Sequence, residues 1–116
     1  MNQKARDALI AAGLAGRPQA RMAYHSPLGD CALGILHELS PEHRVNKTLH
    51  TCIGQGSLEQ MGLGLNVYLC PVPGCISRDL MPEVILVTHL NDCHLWDFLT
   101  IARQFPEESN LGLRAI

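Results

Sequence analysis

Two cysteines and two histidines in this chain have the types and the spacing of a metal site. Cys70-Pro-Val-Pro-Gly-Cys75 is followed by His89-Leu-Asn-Asp-Cys-His94, a C-x4-C-x13-H-x4-H pattern with Cys93 beside the last histidine as an alternate ligand. Thiolate and imidazole are donors that Zn2+ prefers, and structural zinc sites combine a short two-cysteine knuckle with two histidines about a helical turn apart. The pattern predicts one closed tetrahedral site holding structural Zn2+ through Cys70, Cys75, His89 and His94. Asn91 and Asp92 are expected beside it, hydrogen-bonded to the ligating histidines or to helix ends. Trp96 is expected to pack over the metal and exclude water, with a partner hot spot as its alternative use.

The elements that must position these ligands can be read from periodicity and punctuation. Leu65-Asn-Val-Tyr-Leu-Cys70 alternates apolar and polar residues and reads as a strand that delivers Cys70. Pro71, Pro73 and Gly74 then turn the chain so that Cys75 returns to the same point. Pro82 suits the first turn of a helix, Glu83 suits its positive end, and Val84 to Leu90 is apolar enough to be buried, so His89 sits on a helix. Asn91 and Asp92 are expected to loosen its last turn and let His94 swing back. Asp97 caps a final helix from Phe98 to Phe105, which Pro106 stops.

Upstream, Ala5, Ala8, Leu9, Ala12 and their neighbours fall at helical spacing between about Asn2 and Leu14, with Gly13, Gly16 and Pro18 at the end. An extended piece around Arg21 to Tyr24 meets a turn at Ser26-Pro-Leu-Gly. Asp30 then offers an N-cap to an apolar helix from Cys31 to Leu39. Ser40-Pro-Glu-His starts another short turn, and Val45 to Gly64 has no assignable period. The resulting fold class is α+β, a small and mainly helical single domain with a short strand and knuckle. It divides into a helical part over 1–64, the knuckle and its helices over 65–105, and a loose tail over 106–116.

A chain of 116 residues, 47% apolar and 17% charged, is short enough for one core to gain from a metal staple. A formal net charge of −2 gives no long-range attraction to a polyanion. Lys4, Arg6, Arg17 and Arg21 gather near the start and are the residues with which nucleic acid would be contacted. No apolar run approaches the roughly 18 to 20 residues of a membrane span, and the first residues read as a helix instead of a signal peptide. A cytoplasmic location follows as the expectation. Five cysteines in a reducing compartment then read as ligands and buried thiols, with a Cys70–Cys75 disulfide as the alternative.

The knuckle with His89-Leu-Asn-Asp-Cys-His94-Leu-Trp96 resembles a motif of small uncharacterised bacterial and phage proteins. In these, a Cys-Pro-x(n)-Cys pair precedes His-Leu-Asn-Asp-x-His-x-Trp and a short helix. Asp30-Cys-Ala-Leu-Gly-Ile-Leu36 is similar to a segment of other such proteins, and together the two stretches cover about half the chain. The resemblance implies a zinc-stabilised accessory protein in a phage or mobile-element setting, and it carries no settled activity. This chain departs from the pattern after Trp96. The helix there is apolar, where the family-like helix opens with Ser or Thr and is rich in charge, which points to burial or a partner surface.

Three chemistries compete with a purely structural site. If His89 opened the histidine pair of a DNA-reading finger, the base-reading positions would fall near Pro82, Val84, Ile85 and Thr88, none of which makes a bidentate base contact. A catalytic zinc would need an open position, for instance with His94 displaced and Asp92 or Glu83 as base. A thiol enzyme would centre on Cys31 with a base among His25, His37, His43 and His50, and His50 with Cys52 and His37 or His43 would make a second metal site. The reading that remains is a regulator or inhibitor that binds an unidentified protein partner. Nucleic-acid binding ranks next and a thiol or zinc hydrolase third, and a homo-oligomer is compatible with the apolar excess over 84–101.

Overall fold

Helix α1 spans Gln3–Leu14 because Asn2 caps it and one of its faces is apolar. The Asn2 Oδ1 accepts from the Ala5 N–H at 3.0 Å, satisfying one of the amides a helix start leaves unbonded. Ala5, Leu9 and Ala12 fall on the buried face. The computed structural model describes residues 1–20, 28–39 and 55–106, with the side chains of 55–57 excepted. Its elements are α1, α2 (Ala32–His37), α3 (Gln55–Gln60), β1 (Val67–Tyr68), β2 (Met81–Pro82), α4 (Glu83–Asp92) and α5 (Phe98–Gln104). The fold is thus mixed α+β and mostly helical.

Helices α1 and α5 make the most extensive contact, and α2 bridges α1 and α4. The α1–α5 approach is close because Gly13 has no side chain: a Cβ there would lie 2.5 Å from Leu99 Cγ. Arg6 closes the far end of the pair, donating to the Ala102 carbonyl at 2.6 Å and the Phe105 carbonyl at 3.4 Å. These are carbonyls near the end of α5 that have no partner within the helix. Leu86, Val87 and Leu90 of α4 join Phe98 and Ile101 of α5, Leu36 of α2, and Leu9 of α1 in one hydrophobic cluster. The apolar residues of 84–101 therefore serve mainly as core, although Ile85 and Leu95 stay more than half exposed.

The sheet is a two-residue antiparallel pair, Val67 opposite Pro82 and Tyr68 opposite Met81. The strand expected over Leu65–Cys70 is shorter, since only Val67 and Tyr68 find a partner. Tyr68 is buried edge-on against Phe105, with ring centroids 5.8 Å apart.

One capping expectation is corrected. The N-cap of α2 is Cys31, not Asp30. Asp30 instead accepts from Arg17 at 2.8 Å, and the first free amide of the helix, that of Ala32, is taken by the Asn91 Oδ1 at 3.0 Å. Glu83 lies in the first turn of α4 as expected, and the structure adds its partners. It is fully buried, ion-paired with the Met1 amino group, and accepts from the Gly64 N–H at 3.1 Å. Its second oxygen, Oε2, is buried with no hydrogen-bond partner among the described residues. The expectations for Arg21–Tyr24, Ser40-Pro-Glu-His, most of Val45–Gly64 and the tail after Pro106 lie outside the described residues.

Candidate metal centre

The knuckle that links β1 to β2 carries a turn closed by a hydrogen bond from the Cys75 N–H to the Val72 carbonyl at 3.2 Å. Pro73 and Gly74 occupy its centre, and Gly74 has φ +82°, the left-handed value that the third position of a type II turn demands. The turn folds Cys75 back beside Cys70. His89 comes from the last turn of α4 and His94 from just beyond its C-cap, Cys93. Asn91 and Asp92 do not loosen that helix as expected, because both remain inside it. The reversal comes later, where Leu95 takes φ +60° and the Trp96 N–H bonds back to the Leu90 carbonyl at 3.0 Å.

The four side chains converge. One donor atom from each of Cys70, Cys75, His89 and His94 lies within 4.8 Å of all the others. Cys70 Sγ stands 3.4 Å from His94 Nε2, Cys75 Sγ stands 3.4 Å from His89 Nε2, and the two Nε2 atoms face each other at 3.0 Å. Two imidazole nitrogens pointed at one spot between two sulfurs suit a cation at the centre, which accepts all four lone pairs at once. The group can therefore hold a metal ion. Cys93 is exposed and stands outside it.

The electrostatics match crowded donors. Burial and the neighbouring His94 ring hold His89 below the usual histidine range, which favours the neutral ligand form. Burial pushes the Cys70 thiol up, and the nearby Cys75 adds to the rise, while the Val72 backbone N–H offsets part of it. None of Cys31, Cys70, Cys75 and Cys93 is in a disulfide, so the Cys70–Cys75 alternative is set aside.

Of the other predicted residues, Asn91 bonds a helix end, one of the two kinds of partner expected of it. Asn91 bridges α2 to the turn after the ligands: its Oδ1 accepts from Ala32, and its Nδ2 donates to the Trp96 carbonyl at 2.9 Å. Trp96 packs against the hydrophobic core and lines a cleft with Asn91, Leu95, Asp97, Gln19 and Ala20. Arg6 is committed to α5. Arg17 forks between Asp30 and Glu38, whose carboxylate takes two hydrogen bonds at 2.7 and 2.6 Å and holds the guanidinium firmly charged. Lys4 is exposed on α1, and Arg21 lies outside the described residues.

Cys31 is buried, and burial followed by the charge of Asp92 raises its thiol above the ordinary value, the opposite of an activated nucleophile. His37 is buried on α2, while His25, His43, His50 and Cys52 lie outside the described residues. Among the finger-like reading positions, the Thr88 hydroxyl bonds back to the Val84 carbonyl at 3.1 Å.

Fold and site together define a small α+β protein with a Cys2His2 group able to bind a metal. No protein-family model, curated protein or solved structure matches the chain. Among the described residues, no helix is long and apolar enough to cross a membrane.

Proposed function

We propose that this protein is a zinc-stapled binding module that acts by holding another protein, as a regulator or inhibitor. The observation that carries the reading is the convergence of Cys70, Cys75, His89 and His94. At ordinary zinc bond lengths, tetrahedral ligands stand about 3.3 Å apart for two nitrogens and about 3.6 Å apart for nitrogen and sulfur. The corresponding 3.0 and 3.4 Å separations need only a few tenths of an ångström of relaxation. Two thiolates and two neutral imidazoles also neutralise a divalent cation, as a half-buried site requires.

A closed four-ligand set supports a structural ion over a catalytic one, which keeps a position open for water. Glu83, a candidate base, is fully buried in an ion pair, and Cys31 has a raised thiol. With Arg6 and Arg17 engaged inside the fold, a basic nucleic-acid face loses two of its four expected residues. A partner protein is the reading left, in a cytoplasm reducing enough to keep the thiols free. The phage or mobile-element setting rests on the motif resemblance alone.

Zinc per chain, measured by elemental analysis with circular dichroism before and after chelation, tests the staple. About one zinc per chain is expected, absent in Cys70→Ser, with helicity falling on chelation. A folded wild-type protein that carries no zinc and gains no stability from it overturns the reading.

A further inference from the structure

The turn that returns His94 to the metal also builds a cleft of about 480 Å3, lined by Gln19, Ala20, Asn91, Leu95, Trp96 and Asp97. That volume is within the range of ligand sites. We propose that this cleft receives an arginine side chain of the partner protein, its guanidinium stacked on Trp96 and bonded to Asp97. The assignment names the chemistry of the partner and rests on the binding-module reading.

Two independent features carry it. The first is Leu95, which adopts φ +60° and is 58% exposed. A left-handed backbone favours glycine or asparagine and penalises a branched side chain. An exposed leucine there gives the core little in return for that strain. Its apolar surface is available to something outside the chain, beside Trp96, which is itself only partly covered by the core.

The second feature is the distribution of polar groups. Asp97 is exposed, and its Oδ1 caps α5 by accepting from the Thr100 N–H at 2.8 Å. Arg103, nearly two turns further along α5, acts on it through its field and not as a direct ion pair. Asn91 is occupied at both ends, so among the described side chains the Gln19 amide, the Trp96 indole N–H and the Asp97 carboxylate are left to meet a ligand. A carboxylate, an indole and an aliphatic wall together match arginine better than lysine. The planar guanidinium stacks on aromatic faces and forks onto carboxylates, while its stem covers apolar surface.

Trp96 is the only tryptophan in the chain, so its fluorescence reports on this cleft directly. The zinc-loaded protein is titrated with N-acetyl-argininamide and, separately, with the uncharged citrulline counterpart. A saturable change with the arginine probe is expected, at least tenfold weaker with citrulline. Asp97→Asn keeps a good helix cap and is expected to weaken the arginine response at least fivefold. Leu95→Gly is expected to weaken it several-fold while its thermal midpoint stays level or rises.

No saturable change, an equal response to citrulline, or an unaltered response in Asp97→Asn overturns the assignment. Partner capture, run in parallel, separates the two readings. A partner held equally by wild type and Asp97→Asn overturns the cleft and leaves the binding module standing. A cleft that responds as described in a protein that captures no partner overturns the module instead.

Discussion

Glu83 is the residue whose placement most exceeds what its type suggests. A carboxylate with no solvent exposure, held by the Met1 amino group and the Gly64 amide, is a buried ion pair of the kind that is costly to break from one side. Glu83→Gln leaves the ammonium buried without its counter-charge, and we expect a loss of about 3–5 kcal/mol in urea unfolding of the zinc-saturated protein. His89 sets a different dependence. Its folded-state proton affinity is lowered, so the unfolded chain takes up that proton first as pH falls. The metal-free protein therefore loses stability as pH drops below about 6.5. Cys70 has the opposite displacement, so the metal-free protein also weakens as pH rises past about 8.5, where the unfolded thiol ionises first. Zinc reverses the alkaline trend because it needs the thiolate. Urea midpoints across pH, with and without zinc, check both signs, and His89→Ala is expected to flatten the acid limb of the metal-free protein.

At the level of elements, Gly13 sets the spacing of the largest helix contact. Alanine is a better helix former than glycine by up to about 1 kcal/mol, yet a Cβ at this point meets Leu99 Cγ at 2.5 Å. The clash wins, and Gly13→Ala is expected to destabilise by about 1–3 kcal/mol. Adding Leu99→Ala should recover part of the clash term, which thermal unfolding of the double variant measures. In the sequence Gly13 reads as punctuation, because a glycine near a helix end looks the same whether it ends the helix or admits a neighbour. The cap of α5 was legible, since Asp97 acts within three residues, whereas Asn2 read only as the start of α1 and its cap bond is a finding of the structure. The cap of α2 was not legible. Asp30 has the right type in the right place, but Arg17 claims it, and Asn91 bonds α2 from 59 residues away. The short sheet was likewise hidden, since alternation in 65–70 cannot say how few residues will find a partner across the ribbon.

Over the whole molecule, the site was the most legible feature because its ligands are fixed by local spacing. What surrounds it depends on tertiary contacts, which is why Asn91 and Trp96 turned out to join helices and line a cleft. The α1–α5 contact is remote from the knuckle in sequence, whereas β1 and β2 pair over only two residues each and are anchored by single core side chains, Tyr68 and Met81. Chelation is therefore expected to raise amide exchange over 67–82 well before that of α1, as hydrogen-exchange mass spectrometry would resolve. Slowing of all regions together by zinc, with no such order, would contradict it. The ligand span has a further consequence for the order of assembly. All four donors lie between residues 70 and 94, so the ion closes short loops, while α5 must find α1 across most of the chain. During synthesis the metal can be captured once His94 has emerged, before α5 is available to dock. A metal ion held there would make the ribbon and α4 a preformed nucleus onto which α1 and α5 close, and depriving the refolding protein of metal would then slow folding at its earliest step.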